Sequence, residues 1–224
     1  MRSRPAVAFA VAAAALAETV GVVDPARPPG ANIRGATGPA AGDDALIARV
    51  ANGDQAAWTL LVHRHLAPLV SYAWYMLGDH GDAEDVAQET FVRLIAKTES
   101  WQPGGAKLGT WLHRVLINLC IDRRRARYRR PAQPLGDYDG IAEAASADGP
   151  ERALDLARAV QIALARLPGK QRAALVLVHY RGFSNRETAE ILETSVEAVE
   201  SLLARARRGV REQLKPVAND LLGD

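Results

Sequence analysis

Covalent and metal chemistry have little to work with in this sequence. One cysteine, Cys120, stands among 224 residues, so no disulfide can close within the chain, and a lone thiol suits a reducing compartment. Cys120 falls among apolar residues and reads as a small core side chain. His63 and His65 in "HRH", with His80, invite a metal reading. On a helix, however, residues two apart face different ways, and no carboxylate is placed with them. No glycine-rich loop of the phosphate-cradling kind appears. No metal, cofactor or catalytic residue is therefore expected, and an enzyme is the weakest of the functional readings. Aromatics are scarce at 5%. Apolar runs fall short of a membrane span. Alternating strand patterns are nearly absent, and apolar spacings of three and four dominate, so the expected class is all-α. With 48% hydrophobic residues the chain can build one or two small domains with cores of their own.

Net charge is only +2, so the molecule as a whole is no polycation. The charge is instead concentrated. Asp82, Glu84, Asp85 and Glu89 cluster, and Arg123, Arg124, Arg125, Arg127, Arg129 and Arg130 cluster further on. The ends are different again. "MRSRPAVAFAVAAAALAE" has the charge, apolar run and small-x-small ending of a secretory signal peptide. It is expected to be a false signal if the arginine-rich segments further on meet nucleic acid, since that would place the chain in the cytoplasm. Residues 1–42 are Ala-, Pro- and Gly-rich with little to bury and are expected to be a disordered leader. Residues 131–150, "PAQPLGDYDGIAEAASADGP", read as a flexible linker. Two helical domains are expected on either side, over 43–130 and 151–218, with no repeat of fixed period.

In the first domain Asp43 or Asp44 is expected to cap a short helix, and Asp54 a longer one that Pro68 bends or splits. "DAEDVAQETFVRLIAK", from Asp82 to Lys97, winds at about 100° per residue to put Ala83, Val86, Ala87, Phe91 and Leu94 on a core face. Its other face carries Asp85, Gln88 and Glu89 around an apolar Val92. An apolar residue inside a polar rim is the pattern of a docking patch. Thr110 is expected to cap "TWLHRVLINLCIDRRRARYRR", a helix apolar on most sides. Its narrow polar ridge is Arg114, Asn118, Asp122 and Arg125. The arginine run favours phosphate backbone, although a solvated helix end would carry one too. Trp101 and Trp111 beside it suit stacking on unpaired bases, and Asn118 offers donor and acceptor to a base edge.

In the second domain Ser184 with Glu187 fits a capping box. Ser195 caps a following helix with core positions Val196, Val199, Leu202, Leu203, Ala206 and Val210. Two short helices joined by "ETS" make a helix-turn-helix. The outward face of its second helix, Glu197, Ser201, Ala204, Arg205 and Arg208, can enter a major groove.

Taken together, these residues resemble a bacterial sigma factor of the extracytoplasmic-function group of the sigma-70 family, over roughly residues 43–215. "DAEDVAQETFVRLI" resembles the core-polymerase-binding helix. "LGTWLHRVLINLCIDRRRAR" resembles the promoter-melting helix, and "LPGKQRAALVLVHYRGFSNRETAEILETSVEAVESLLARARRGVR" the second DNA-binding domain. The resemblance implies that Asp85, Gln88, Glu89 and Val92 dock on the β′ clamp of core RNA polymerase, with the second domain at the β flap. It implies that Trp101, Lys107, Trp111, Arg114, Asn118, Arg123, Arg124 and Arg125 hold the melted minus-ten strand. Arg186, Ser195, Glu197, Ala198, Ser201, Arg205 and Arg208 would meet the minus-thirty-five element. As in many relatives, a restraining anti-sigma partner is implied. Where the family commonly reads T-V-K-S-R-L, this chain has Ala198, Val199, Glu200, Ser201, Leu202 and Leu203. Glu200 would repel phosphate, so contacts should shift to Ser201, Arg205 and Arg208. The competing reading is a regulator that binds DNA through its helix-turn-helix without joining the polymerase, the acidic patch then being a subunit interface.

Overall fold

A computed structural model describes residues 42–129 and 150–222, with side chains placed over 42–127 and 158–215. All of the expected leader but Gly42, all of the linker but Pro150, and Arg130 lie outside the described residues. Within them every regular element is a helix, and no helix is long and apolar enough to cross a membrane. The first unit holds α1 (Asp43–Ala51), α2 (Gln55–Leu77), α3 (His80–Thr98) and α4 (Leu108–Arg129). The second holds α5 (Pro150–Arg166), α6 (Gly169–Arg181), α7 (Asn185–Leu192) and α8 (Val196–Leu222).

Local chemistry accounts for several of the helix ends. Asp54 caps α2, its carboxylate accepting from the Ala57 amide at 3.0 Å. Gly78 closes the same helix in the left-handed region at φ 74°, a conformation that costs glycine nothing. Asp79 then caps α3, accepting from Asp82 N at 2.8 Å, so this helix opens at His80 and not at Asp82. At α7 the capping box is complete. Ser184 Oγ accepts from the Glu187 amide, and the Glu187 carboxylate accepts from the Ser184 amide. Ser195 Oγ accepts from the Ala198 amide at 3.2 Å at the start of α8. Such caps contribute about 1 kcal/mol each.

Three expectations are corrected. Gly42 is the N-cap of α1, because Asp43 and Asp44 are drawn elsewhere. Asp43 accepts from Arg64 and meets His65 on α2, and Asp44 accepts from Trp101 and Gly104. Thr110 is not a cap, since α4 begins at Leu108 and Thr110 is buried in its first turn. Pro68 does not divide α2, which runs unbroken through it. Leu66, Leu69 and Val70 are buried on either side of the proline, and their burial outweighs the one lost backbone bond.

The expected core face of α3 is buried in the first unit. Ala83, Val86, Ala87, Phe91 and Leu94 are buried on α3, against Trp58, Leu61, Leu66 and Leu69 of α2 and Leu112, Leu116 and Cys120 of α4. Trp58 and Phe91 meet edge to face at 5.7 Å, a favoured aromatic geometry. Trp74 is half-buried and packs at the margin of this core. In the second unit Leu164, Leu167, Leu175, Ala189, Val199, Leu203 and Ala206 form a separate cluster. A Cβ on Gly209 would stand 2.9 Å from Leu167 Cδ2, so a larger residue there would make that side chain shift.

The two units are packed against each other and do not stand apart. Ala173, Val176, Leu177 and Ile191 of the second join the core cluster of the first. Tyr72 donates to the Ala173 carbonyl at 3.1 Å, and buried Arg172 donates to the Met76 carbonyl. Tyr75 and Tyr180 lie 4.2 Å apart by ring centroid.

Candidate polymerase and nucleic-acid interfaces

Three surfaces carry the residues singled out in the sequence. The first is the outer face of α3. Asp85 and Glu89 are exposed, and Gln88 is half-exposed. Val92 is half-buried, so the patch offers the rim of an apolar residue and not its full surface. Glu89 accepts from Arg93 at 2.7 Å, one helical turn on. Both partners of that pair are about half exposed, so it can be exchanged for an external cation at little cost.

The second surface is α4 with the loop before it. Trp101 and Trp111 meet edge to face at 6.2 Å, both half-buried. The Trp101 indole donates to Asp44 at 2.8 Å, and the Gly104 amide donates to the same carboxylate. Asp44 thus fixes a loop almost sixty positions away, a role that no local pattern announced. Lys107, Asn118 and Arg125 are exposed. Arg125 has only a loose contact, 3.7 Å, with Asp122.

The remaining arginines of this set are already engaged. Arg123 donates to Asp82 at 2.9 Å and to Asp85 at 2.7 Å, and Arg127 pairs with Asp82 at 3.2 Å. The acidic cluster and the arginine run are therefore partners within the chain. Asp82, to which no sequence pattern gave a role, is their hub: its side chain is the less exposed carboxylate, at 19% against 60% for Asp85. Arg114 donates to the Glu190 carbonyl at 2.8 Å and pairs with Glu193 at 3.0 Å. Arg124 donates to the Ala165 carbonyl at 3.0 Å. The acceptors of both arginines belong to the second unit.

Behind Arg114, His113 is buried between Tyr72 and Phe183, with centroids at 5.7 and 4.9 Å. Nδ1 lies 2.8 Å from the Gly109 carbonyl. Burial pushes the ring from 6.5 down to about 4; the Gly109 bond opposes this, and the charges of Arg181 and His65 add to it. Above pH 6.5 the ring is neutral folded or unfolded, and stability does not depend on it. Below 6.5 the unfolded chain takes up a proton that the folded one refuses until about pH 4. Stability should therefore fall by about 2 kcal/mol between pH 7 and pH 5 on this account. Urea unfolding at the two pH values measures it, and the drop should shrink in His113→Gln. An equal drop in that variant would contradict the assignment. Cys120 is buried beside Leu116 and Ile117, and burial pushes its thiol up to about 12, so it is inert as a nucleophile.

The third surface is the helix-turn-helix. Glu197, Ser201, Ala204, Arg205 and Arg208 are exposed along one side of α8, Ala198 is half-buried, and Val199, Leu203 and Ala206 face inward. Ser195 is exposed and serves as the cap described above. Arg186 on α7 is almost fully exposed and loosely paired with Glu190 at 3.6 Å. In the turn Glu193 takes a left-handed φ of 51°, the one non-glycine residue with positive φ among those described. Among the described residues no group of three or more His, Cys, Asp or Glu could hold a metal ion.

Known proteins match both units. The family described as Sigma-70 region 2 matches residues 61–130, and Sigma-70, region 4 matches residues 157–208. The ECF RNA polymerase sigma factor SigE of Mycolicibacterium smegmatis is 38% identical over 172 residues, covering 73% of this chain and 65% of that protein. The ECF RNA polymerase sigma factor SigM of Mycobacterium tuberculosis is 34% identical over 165 residues, covering 74% of this chain and 81% of that one. Among solved structures, the sigma factor RpoE in complex with the anti-sigma factor NepR from Bartonella quintana aligns with a TM-score of 0.57. It is 28% identical and covers 70% of this chain and 96% of that chain.

Proposed function

From the premise that the chain belongs to the extracytoplasmic-function group of the sigma-70 family, we propose how its surfaces divide the work. The chain is a sigma factor: it binds core RNA polymerase and directs it to promoters. The observation that carries this reading is that both family regions occur in order on one chain, with an acidic face on α3 and a free helix-turn-helix face on α8.

On this reading residues 43–130 bind polymerase and the minus-ten element, 151–218 bind the minus-thirty-five element, and 131–150 join them. Asp85, Gln88 and Glu89 offer carboxylates and an amide to basic and polar groups of the β′ clamp, and the Val92 rim is buried in the contact. Opened single strand lies along α4. Trp101 and Trp111 supply ring faces for unstacked bases, Asn118 reads a base edge, and Lys107, Arg114, Arg123, Arg124 and Arg125 follow the phosphates. Ser201, Arg205 and Arg208, flanked by Arg186, Ser195, Glu197 and Ala198, meet duplex in the major groove. The second unit reaches the β flap. Polymerase carries the chemistry, and this chain contributes binding free energy only. Its place of action is the cytoplasm, where polymerase and DNA are. The complex of its structural neighbour with an anti-sigma factor supports a restraining partner of the same kind for this chain.

A footprint with and without core polymerase separates this reading from that of a free-standing regulator. Protection of two elements on one side of a start site, seen only with polymerase, is expected. A symmetric palindromic footprint by the protein alone would overturn it.

A further inference from the structure

The loop between α3 and α4 carries Trp101 and ends at Lys107, both assigned to the melted strand. Packing does little to hold it. Residues 102–107 are exposed, and a Cβ on Gly104 would meet no atom within 4 Å. The turn is closed by the Gly105 amide, which donates to the Gln102 carbonyl at 3.3 Å, and Gly104 takes a left-handed φ of 77° within it. An exposed loop with glycine at its bend samples many conformations unless something ties it down.

Asp44 ties it to the fold. One carboxylate oxygen accepts from the Trp101 indole N–H at 2.8 Å, and the other accepts from the Gly104 amide at 3.1 Å. One side chain thus holds both the ring and the bend. It stands on a firm base. Asp44 is in the first turn of α1, whose Leu46 and Ile47 are each 1% exposed. The neighbouring Asp43 accepts from Arg64 and meets His65 on α2. On charge alone Asp44 is misplaced, because a carboxylate beside a nucleic-acid strand repels its phosphates. What it positions accounts for its presence.

We propose that Asp44 is a positioning residue for strand capture: from α1 it presets the Trp101 ring and the Gly104 bend in the arrangement that an unpaired base meets, without itself touching DNA. This rests on the assignment of Trp101 and α4 to the melted strand. A preset loop has lost its freedom before the strand arrives, so that loss is not subtracted from the binding free energy.

Charge and position predict opposite signs. Asp44→Ala removes both acceptor oxygens. Asp44→Asn keeps one and removes the charge. Gly104→Ala strains the bend at its positive φ without altering charge or meeting a neighbour. Each full-length variant is bound to core RNA polymerase, and anisotropy of a short fluorescent single-stranded DNA of mixed sequence is read against core polymerase alone. Affinity should fall about tenfold for Asp44→Ala, as suits two charge-assisted hydrogen bonds in a partly exposed place, and less for Asp44→Asn. It should fall about fivefold for Gly104→Ala. Asp44→Ala combined with Gly104→Ala should be no weaker than the worse single variant, because both act on one bend. In the free, isotope-labelled chain the Trp101 indole proton, identified by its absence from Trp101→Phe, should exchange faster with water in Asp44→Ala, while those of Trp58 and Trp74 keep their rates.

Unchanged or tighter strand binding in both Asp44 variants would overturn the proposal, since tighter binding is what the removal of a repelling charge alone would give. An unchanged Trp101 exchange rate would overturn it too. Association of the variants with core polymerase, measured in parallel, should match that of the unaltered chain; its loss would mean that Asp44 acts through the fold at large, against the proposal. If the unaltered chain fails to bind core polymerase, or lends it no strand affinity, the functional reading itself falls. If the unaltered chain does both and the variants match it, the positioning role alone falls.

Discussion

Reversing both Asp85 and Glu89 to arginine is expected to weaken binding to core polymerase by about a hundredfold or more, while helix content and melting temperature stay near those of the unaltered chain. The size follows from replacing attraction by repulsion at the centre of a contact. Like charges set against each other cost several kcal/mol, and each 1.4 kcal/mol is about a factor of ten. The fold should survive because neither carboxylate carries it. Asp85 is exposed and shares Arg123 with Asp82, which keeps both Arg123 and Arg127 when Asp85 is lost. Glu89 has only its exposed partner Arg93. Surface pairs of this kind contribute little to stability. Titration of labelled protein with core enzyme measures the effect. Affinity within about threefold of the unaltered chain would remove α3 from the polymerase contact.

The largest effect on stability should come from Phe91→Ala. Phe91 is fully buried and packs its ring edge to face with Trp58. It lies on the inner face of α3, opposite the acidic patch, and locks that helix to α2. Removing a buried phenyl ring costs its transfer free energy plus a cavity, together about 3–5 kcal/mol. That is a large share of the roughly 5–15 kcal/mol typical of a domain. Denaturant unfolding should show the midpoint lowered at similar slope. A loss below about 1 kcal/mol would mean that the core around α3 is not packed as described.

These two predictions rest on opposite faces of one helix, and both faces were legible in the sequence. A period of 3.6 sorts Ala83, Val86, Phe91 and Leu94 from Asp85 and Glu89 without any knowledge of neighbours. The helix-turn-helix was legible for a similar reason. Ser184, Glu187 and Ser195 act within three residues of themselves, and caps of that kind are local chemistry.

What escaped the sequence is long-range. Arg123 finds Asp82 and Asp85 across about forty positions, and Arg114 finds Glu190 across 76. Asp43 and Asp44 look like caps because capping is what a sequence window can see. They are used instead for α2 and for the tryptophan loop. The packing of the two units was hidden too. Ala173, Val176, Leu177 and Ile191 are apolar residues on helices of the second unit, and nothing in their periodicity says whose core they complete. The same blindness concealed the engagement of Arg114 and Arg124: a run of arginines announces affinity for anions, not which anion arrives first.

A reconstituted transcription assay tests the central claim most directly. Core RNA polymerase with this protein, given sheared genomic DNA as template, should produce transcripts that start at discrete positions and that core enzyme alone does not make. If the transcripts with and without the protein share the same distribution of starts, the chain does not confer promoter specificity, and its assignment as an initiation subunit is wrong.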